Sequence, residues 1–318
     1  MSNCVYLLSK KIPMKYNYNK DFRKIAFKLP FSKLICLLSQ TPLKIIIKFI
    51  KPPKNLTVRN FYINGFENQK ILVKEISPQL PNDFALLVLH GGGFGYKTAP
   101  HQLTNAFEYA TKLNCKTYLV DYHLLPSFPF PAAYEDSIKS YEYLVATSKE
   151  LKINPEKIIV LGDSAGGCLA ANLCNTVESK NLPRPCCQVL IYPVTDNSMT
   201  TTSMKTFTDT PLWNTRNNQR MWKMYLKNAT AQQEQIAVPL KNHLPEVLPP
   251  TYLETAEFDC LHDEGILYGE KIKNRTEELQ INETKGTFHG YDMLSNHPIS
   301  KDSLAKRIVF MKKWMEKL

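Results

Sequence analysis

Apolar and polar positions along the chain change rhythm near residue 56. Over 22–50, apolar residues recur at helical spacing with lysines between them, in FRKIAFKLPF and PLKIIIKFI. Pro30 and Pro42 separate these runs and Pro52–Pro53 closes the region, which predicts two short amphipathic helices. Beyond 56, short apolar runs at 84–89, 117–120, 158–161, 189–191 and 251–255 alternate with helical patterns at 103–113, 134–149, 165–177, 266–279 and 304–318. That alternation predicts parallel strands joined by crossover helices: an α/β fold, a mostly parallel sheet with helices on both faces. The stretch 197–235 breaks the rhythm. It is polar, carries Trp213 and Trp222, and the next strand pattern starts only at Thr251, so it reads as an insertion rather than a structureless loop.

The chain has 318 residues. At about 150 residues per domain this means one or two domains, with a core large enough to stand without disulfides or metal. No run approaches the roughly 18 uncharged apolar residues of a conventional membrane-spanning helix. The 40 basic and 29 acidic residues leave a net charge of +11, unevenly spread: 10–54 holds twelve Lys/Arg and a single acid, Asp21. The first reading of that stretch is a solvated basic face. The second is peripheral contact with an anionic membrane surface; nucleic acid is not expected, because no nucleic-acid motif accompanies the charge. The eight cysteines form no CxxC pair and no zinc spacing, and several sit in apolar segments, which points to a reducing, cytoplasmic setting. The opening MSNCVYLLSKKIP has a five-residue apolar run (4–8) before two lysines, too short for a signal-peptide core. The sequons at Asn55, Asn228, Asn274 and Asn282 are read as chance.

The sharpest chemical signal is the strand pattern 158–161 running into Gly162-Asp163-Ser164-Ala165-Gly166-Gly167 and then a helical pattern. This is the setting of a nucleophile elbow, with glycines allowing the tight turn that lifts the Ser164 hydroxyl above the sheet. The second signal is His90-Gly91-Gly92-Gly93-Phe94, directly after the strand at 84–89. Such a loop aims backbone N–H groups at a developing oxyanion, and the absence of a following GK[ST] disfavours a phosphate loop. Serine needs a base, and the base an orienting acid. Asp259, just past the strand at 251–255, and His289, in a loop after a probable strand, complete the order Ser164, Asp259, His289. Among the rivals, Asp263 is read as a helix cap, Asp292 falls past the histidine loop, and His297 precedes a proline in a polar turn. His101, His123, His243 and His262 are read as surface or structural histidines, and His90 as a brace for the glycine loop.

Taken together these motifs resemble the hormone-sensitive-lipase-like family of α/β-hydrolase esterases. The resemblance rests on His90–Phe94, Asp121-Tyr122-His123-Leu124-Leu125-Pro126 with Phe130-Pro131-Ala132, Gly162–Gly167, Asp259 to Gly265, and His289-Gly290-Tyr291. It implies an α/β-hydrolase fold, and a serine carboxylesterase or lipase-like hydrolase acting through an acyl-enzyme on a small-molecule or lipid ester. Ser164 would be the nucleophile, His289 the general base and acid, and Asp259 the orienter. The backbone N–H groups of Gly92, Gly93 and Ala165, with Gly91 in the same loop, would form the oxyanion hole. No metal or organic cofactor is implied. It also implies a helical cap: 1–50 would supply N-terminal cap helices, and 51–318 the hydrolase domain with a cap insertion at about 197–235. The sequence departs from the family at His123 and Ser127, where arginine and glutamate are usual, and at Cys260 and His262, where proline and arginine are usual. The same scaffold also carries small-molecule receptors that have lost the histidine, and the same triad serves amidases and deacetylases.

Overall fold

The computed structural model describes residues 15–318, so the opening apolar run, Cys4, Lys10 and Lys11 lie outside the described residues. One eight-stranded sheet organises the chain. Its strands are β1 (Leu56–Asn64), β2 (Lys70–Pro78), β3 (Ala85–Leu89), β4 (Lys116–Asp121), β5 (Ile158–Asp163), β6 (Cys187–Ile191), β7 (Thr251–Ala256) and β8 (Leu279–Thr284), in the order β1-β2-β4-β3-β5-β6-β7-β8. β2 is antiparallel to both of its neighbours, and β4 through β8 run parallel. The predicted strands are β3 to β7.

The central strands are apolar without interruption because both faces are covered. In β3, Ala85, Leu87 and Leu89 enter one core while Leu86 and Val88 enter the other; Ile158 and Val160 of β5 likewise oppose Ile159 and Leu161. The helices are α1 (Lys33–Lys48), α2 (Pro100–Leu113), α3 (Ala132–Ala146), α4 (Ser148–Leu151), α5 (Ala165–Thr176), α6 (Thr202–Thr206), α7 (Thr215–Tyr225), α8 (Ala231–Ala237), α9 (His262–Ile272) and α10 (Pro298–Met315). α3, α5 and α9 pack on one face, around Tyr141, Leu169 and Tyr268. α2 and α10 pack on the other, around Phe107, Tyr109 and Phe310. Among the described residues no helix is long and apolar enough to cross a membrane.

The structure differs from the sequence pattern in two places that matter for the site. Residues 22–50 do not form two helices. A short 3-10 turn at Lys20–Lys24 leads through irregular chain to the single helix α1, which runs straight past Pro42. Packing overrides the proline: Cys36 is buried, Leu43 lies against the main core, and the Gln40 amide donates to the carbonyls of Gly95 (3.3 Å) and Leu125 (3.0 Å). The helix expected over 266–279 ends at Ile272, and Leu279 already opens the edge strand β8. The polar stretch after β6 holds α6, α7 and α8, whose buried face carries Met221, Trp222 and Tyr225 beside the loop residue Trp213.

Candidate active site

Strand β5 delivers Ser164 to the sheet's carboxyl edge in a tight turn. Ser164 sits at φ 53°, ψ −117°, immediately before α5. The turn needs small neighbours: a Cβ on Gly166 would lie 1.9 Å from the Leu89 carbonyl oxygen. Asp259 follows β7, fully buried, and His289 follows β8. The Phe258 N–H donates to the Thr287 carbonyl (2.8 Å) and ties the two loops together.

The structure brings the three side chains together. His289 Nδ1 lies 2.6 Å from Asp259 Oδ2, and His289 Nε2 lies 2.9 Å from Ser164 Oγ. A carboxylate can only accept, so Nδ1 carries the proton and Nε2 is left to accept from the serine hydroxyl. The other carboxylate oxygen of Asp259 accepts the Leu261 N–H at 3.0 Å, so the acid is held from two sides. Cys260, where the resemblance would place proline, is buried, and burial pushes its thiol pKa well up. The ring of Tyr192 packs 4.6 Å from the His289 ring.

The glycine loop after β3 faces the same point. Among the described residues no group accepts the N–H of Gly92 or Gly93, and the N–H of Ala165, at the first position of α5, has no intrahelical partner. Gly93 stands at φ +59°, and a Cβ there would lie 2.6 Å from Cη2 of Trp213. Gly91 corrects the expectation that it joins these donors: its N–H is already given to Asp163 Oδ1 at 2.9 Å. The physical reason is a tether absent from the sequence reading. Gln102, on α2, accepts the Ala99 N–H (2.7 Å) through Oε1 and donates through Nε2 to Asp163 Oδ2 (2.7 Å). Burial raises the Asp163 pKa. No sequence pattern marked Gln102; only the position of α2 over the elbow reveals it.

His90 braces the loop from beneath. Its Nδ1 donates to the Gly91 carbonyl (2.7 Å) and its ring stacks on Tyr122 at 4.3 Å. Burial lowers its pKa, which favours the neutral ring. Asp263 is not a helix cap, because α9 begins at His262; it instead accepts the Ser203 N–H (2.8 Å) and lies 2.8 Å from His262 Nδ1. His297 does cap, accepting the Ile299 N–H at the start of α10. His123 reaches the buried Asp136 at 2.8 Å, so a partner stands beside it despite the loss of the usual arginine. Among the described residues no group of three or more His, Cys, Asp or Glu is arranged to hold a metal ion. Ser164, His289 and the glycine loop line a cavity of about 250 Å³ whose other walls are mostly apolar, among them Phe27, Leu29, Leu43, Leu212, Trp213 and Met293, with Lys97, His101 and Gln102 as polar members.

A family model described as the α/β-hydrolase fold matches residues 86–293, and the chain belongs to that family, in the hormone-sensitive-lipase-like group whose motifs it carries. It is 29% identical over 208 residues to the ethyl acetate hydrolase of Pseudomonas putida, covering 65% of each chain. It is 27% identical over 246 residues to Lipase 2 of Moraxella sp. (strain TA144), covering 68% of this chain and 56% of that one. The match thus spans less than two thirds of the length of these two curated relatives. Among solved structures, a bacterial heroin esterase superposes with a TM-score of 0.85 at 26% identity, covering 94% of this chain and 98% of that one.

Proposed function

We propose that the chain is a serine hydrolase of carboxylic esters. The observation that carries this is the continuous contact Asp259–His289–Ser164, at 2.6 Å and 2.9 Å, facing unengaged N–H groups across one largely apolar cavity. Ser164 Oγ attacks the ester carbonyl carbon while His289 Nε2 takes its proton. The carbonyl oxygen, now negative, is held by the N–H groups of Gly92, Gly93 and Ala165. His289 returns the proton to the departing alkoxide, and the C–O bond to the alcohol breaks, leaving the acyl group on Ser164. Water then gives a proton to His289 and attacks the acyl carbon, and the carboxylic acid leaves as Ser164 recovers its proton. Asp259 keeps the imidazole in the productive tautomer and stabilises it when charged. No step calls on a metal or cofactor.

Most of the cavity lining beyond the catalytic groups is apolar, which favours uncharged acyl and alcohol groups. We assign the roof of this cavity to α1 with the preceding chain and to the segment holding α6, α7 and α8, because Leu29, Leu43, Leu212 and Trp213 supply its walls. The identities of the relatives point the same way: an ethyl acetate hydrolase, a lipase and a heroin esterase. Ser164→Ala tests the proposal. It should keep the wild-type circular dichroism and thermal melt, lose hydrolysis of p-nitrophenyl acetate by on the order of 10⁶ in kcat, and resist labelling by a fluorophosphonate that marks the wild type. Turnover or labelling that survives in this variant would overturn the assignment.

A further inference from the structure

The helix α1 carries an apolar stripe that faces away from the protein. Leu34, Leu38, Ile45 and Phe49 are 64%, 65%, 50% and 78% exposed. At 100° per residue these four fall within an arc of about 60°. The opposite side of the same helix holds Cys36, Leu43 and Ile47, which pack inward, and Leu43 reaches the catalytic cavity. The stripe is flanked along one side by Lys33, Lys44 and Lys48, all exposed. Lys44 shares a surface cavity with Lys70 and Tyr62, the last 64% exposed on the edge strand β1, while the Lys97 that also lines it is paired with Asp121 at 2.8 Å. Lys48 and Lys74 line a second cavity beside it.

We propose that this face is a docking surface for an anionic phospholipid membrane. An apolar stripe bordered by lysines matches an interface in which acyl chains lie beneath a plane of negative headgroups. Pairing with a second copy fits worse. α1 contains no acidic residue, so two copies meeting on this face would bring lysine rows together with nothing to neutralise them. A nucleic acid would satisfy the lysines and leave the stripe in water. Docked this way, the helix lies between the lipid headgroups and the catalytic cavity, with Leu43 on the cavity side.

The test is co-sedimentation with vesicles of phosphatidylcholine containing about 30 mol % phosphatidylserine. The wild-type protein should partition into the vesicle pellet, and much less with phosphatidylcholine alone. The double substitution Leu38→Glu with Phe49→Glu should lower the partition coefficient by about tenfold or more. Lys44→Glu with Lys48→Glu should lower it while steepening neither the thermal melt nor its midpoint. All these variants should hydrolyse p-nitrophenyl acetate in free solution as the wild type does. Ser164→Ala protein should still sediment with the vesicles, which separates docking from hydrolysis. The proposal is overturned if the wild type ignores anionic vesicles, if the apolar double variant binds unchanged, or if size exclusion shows that the variant merely converts a dimer to a monomer.

Discussion

Ser164 occupies a backbone conformation that L-residues rarely adopt, a strain of about 1–3 kcal/mol that the surrounding turn must hold. The residue before it ties the turn to the glycine loop and to α2. Asp163 receives two N–H donors, from Gly91 and from Gln102, so the site requires an acceptor at both carboxylate oxygens. The Gln102 amide cannot simply turn over, because its oxygen already accepts the Ala99 N–H. Asp163→Asn therefore sets an amide NH2 against another NH2 and loosens the glycine loop that carries the oxyanion donors. A displacement near 1 Å at such a site is worth about a hundredfold in rate, and kcat/KM of Asp163→Asn should fall by about that much. The double variant Asp163→Asn with Gln102→Glu restores a donor facing an acceptor and should recover a substantial part of the loss. Steady-state kinetics on p-nitrophenyl acetate decide it. A single variant as active as wild type, or a double variant no better than the single, would remove the tether from the account.

At the scale of elements, α1 shows packing winning over local preference. Pro42 removes an N–H from the helix interior and crowds the carbonyl of Leu38, a penalty of about 3 kcal/mol relative to alanine. Its side chain is exposed, so nothing in the core requires it. Pro42→Ala should raise the urea midpoint by an amount equivalent to about 1–3 kcal/mol; an unchanged midpoint would mean that α1 detaches before the body of the protein unfolds. The same helix shows why its continuity is not legible in the local sequence. Helical periodicity was visible on both sides of Pro42, but the contacts of Gln40 with Gly95 and Leu125, which hold the helix together across it, join residues far apart in the chain. β3 and β5 were legible because burial on both faces leaves continuous apolar runs. β1 was not, because at the sheet edge most of its residues are exposed and its apolar signal is diluted. Ser164 and the glycine loop could be read locally, as turns that tolerate few other residues. Asp259 and His289 are legible only through chain order and family resemblance. The engagement of Gly91, like the role of Gln102, depends on how α2 lies over the elbow, and no local pattern encodes that.

Across the whole molecule, one buried cluster links the C-terminal helix to the triad. Arg307 of α10 donates to both oxygens of Glu254 on β7, at 3.0 and 2.5 Å, and to Asp292 Oδ2 at 3.1 Å. Glu254 lies on the strand that delivers Asp259, and Asp292 follows the loop that delivers His289. Asp292 also accepts the hydroxyl of Tyr192, whose ring packs against His289. Burial works to raise the Asp292 pKa, but Arg307 and these hydrogen bonds prevail and hold it below the ordinary carboxylate value. The sign of the pH effect follows. With the folded-state pKa below the unfolded value of about 3.9, the unfolded chain takes up a proton first as the solution is acidified. The stabilisation from Asp292 is therefore fully present above that unfolded value and is lost as pH falls through the lower folded one. Asp292→Asn removes this contribution while leaving Arg307 its two bonds to Glu254. The variant should be less stable than wild type near neutrality, and the gap should narrow as pH falls below about 4. Urea midpoints of both proteins measured across that interval give the answer; a gap that stays constant would mean that Asp292 contributes packing alone and that its charge does not hold the histidine loop to α10.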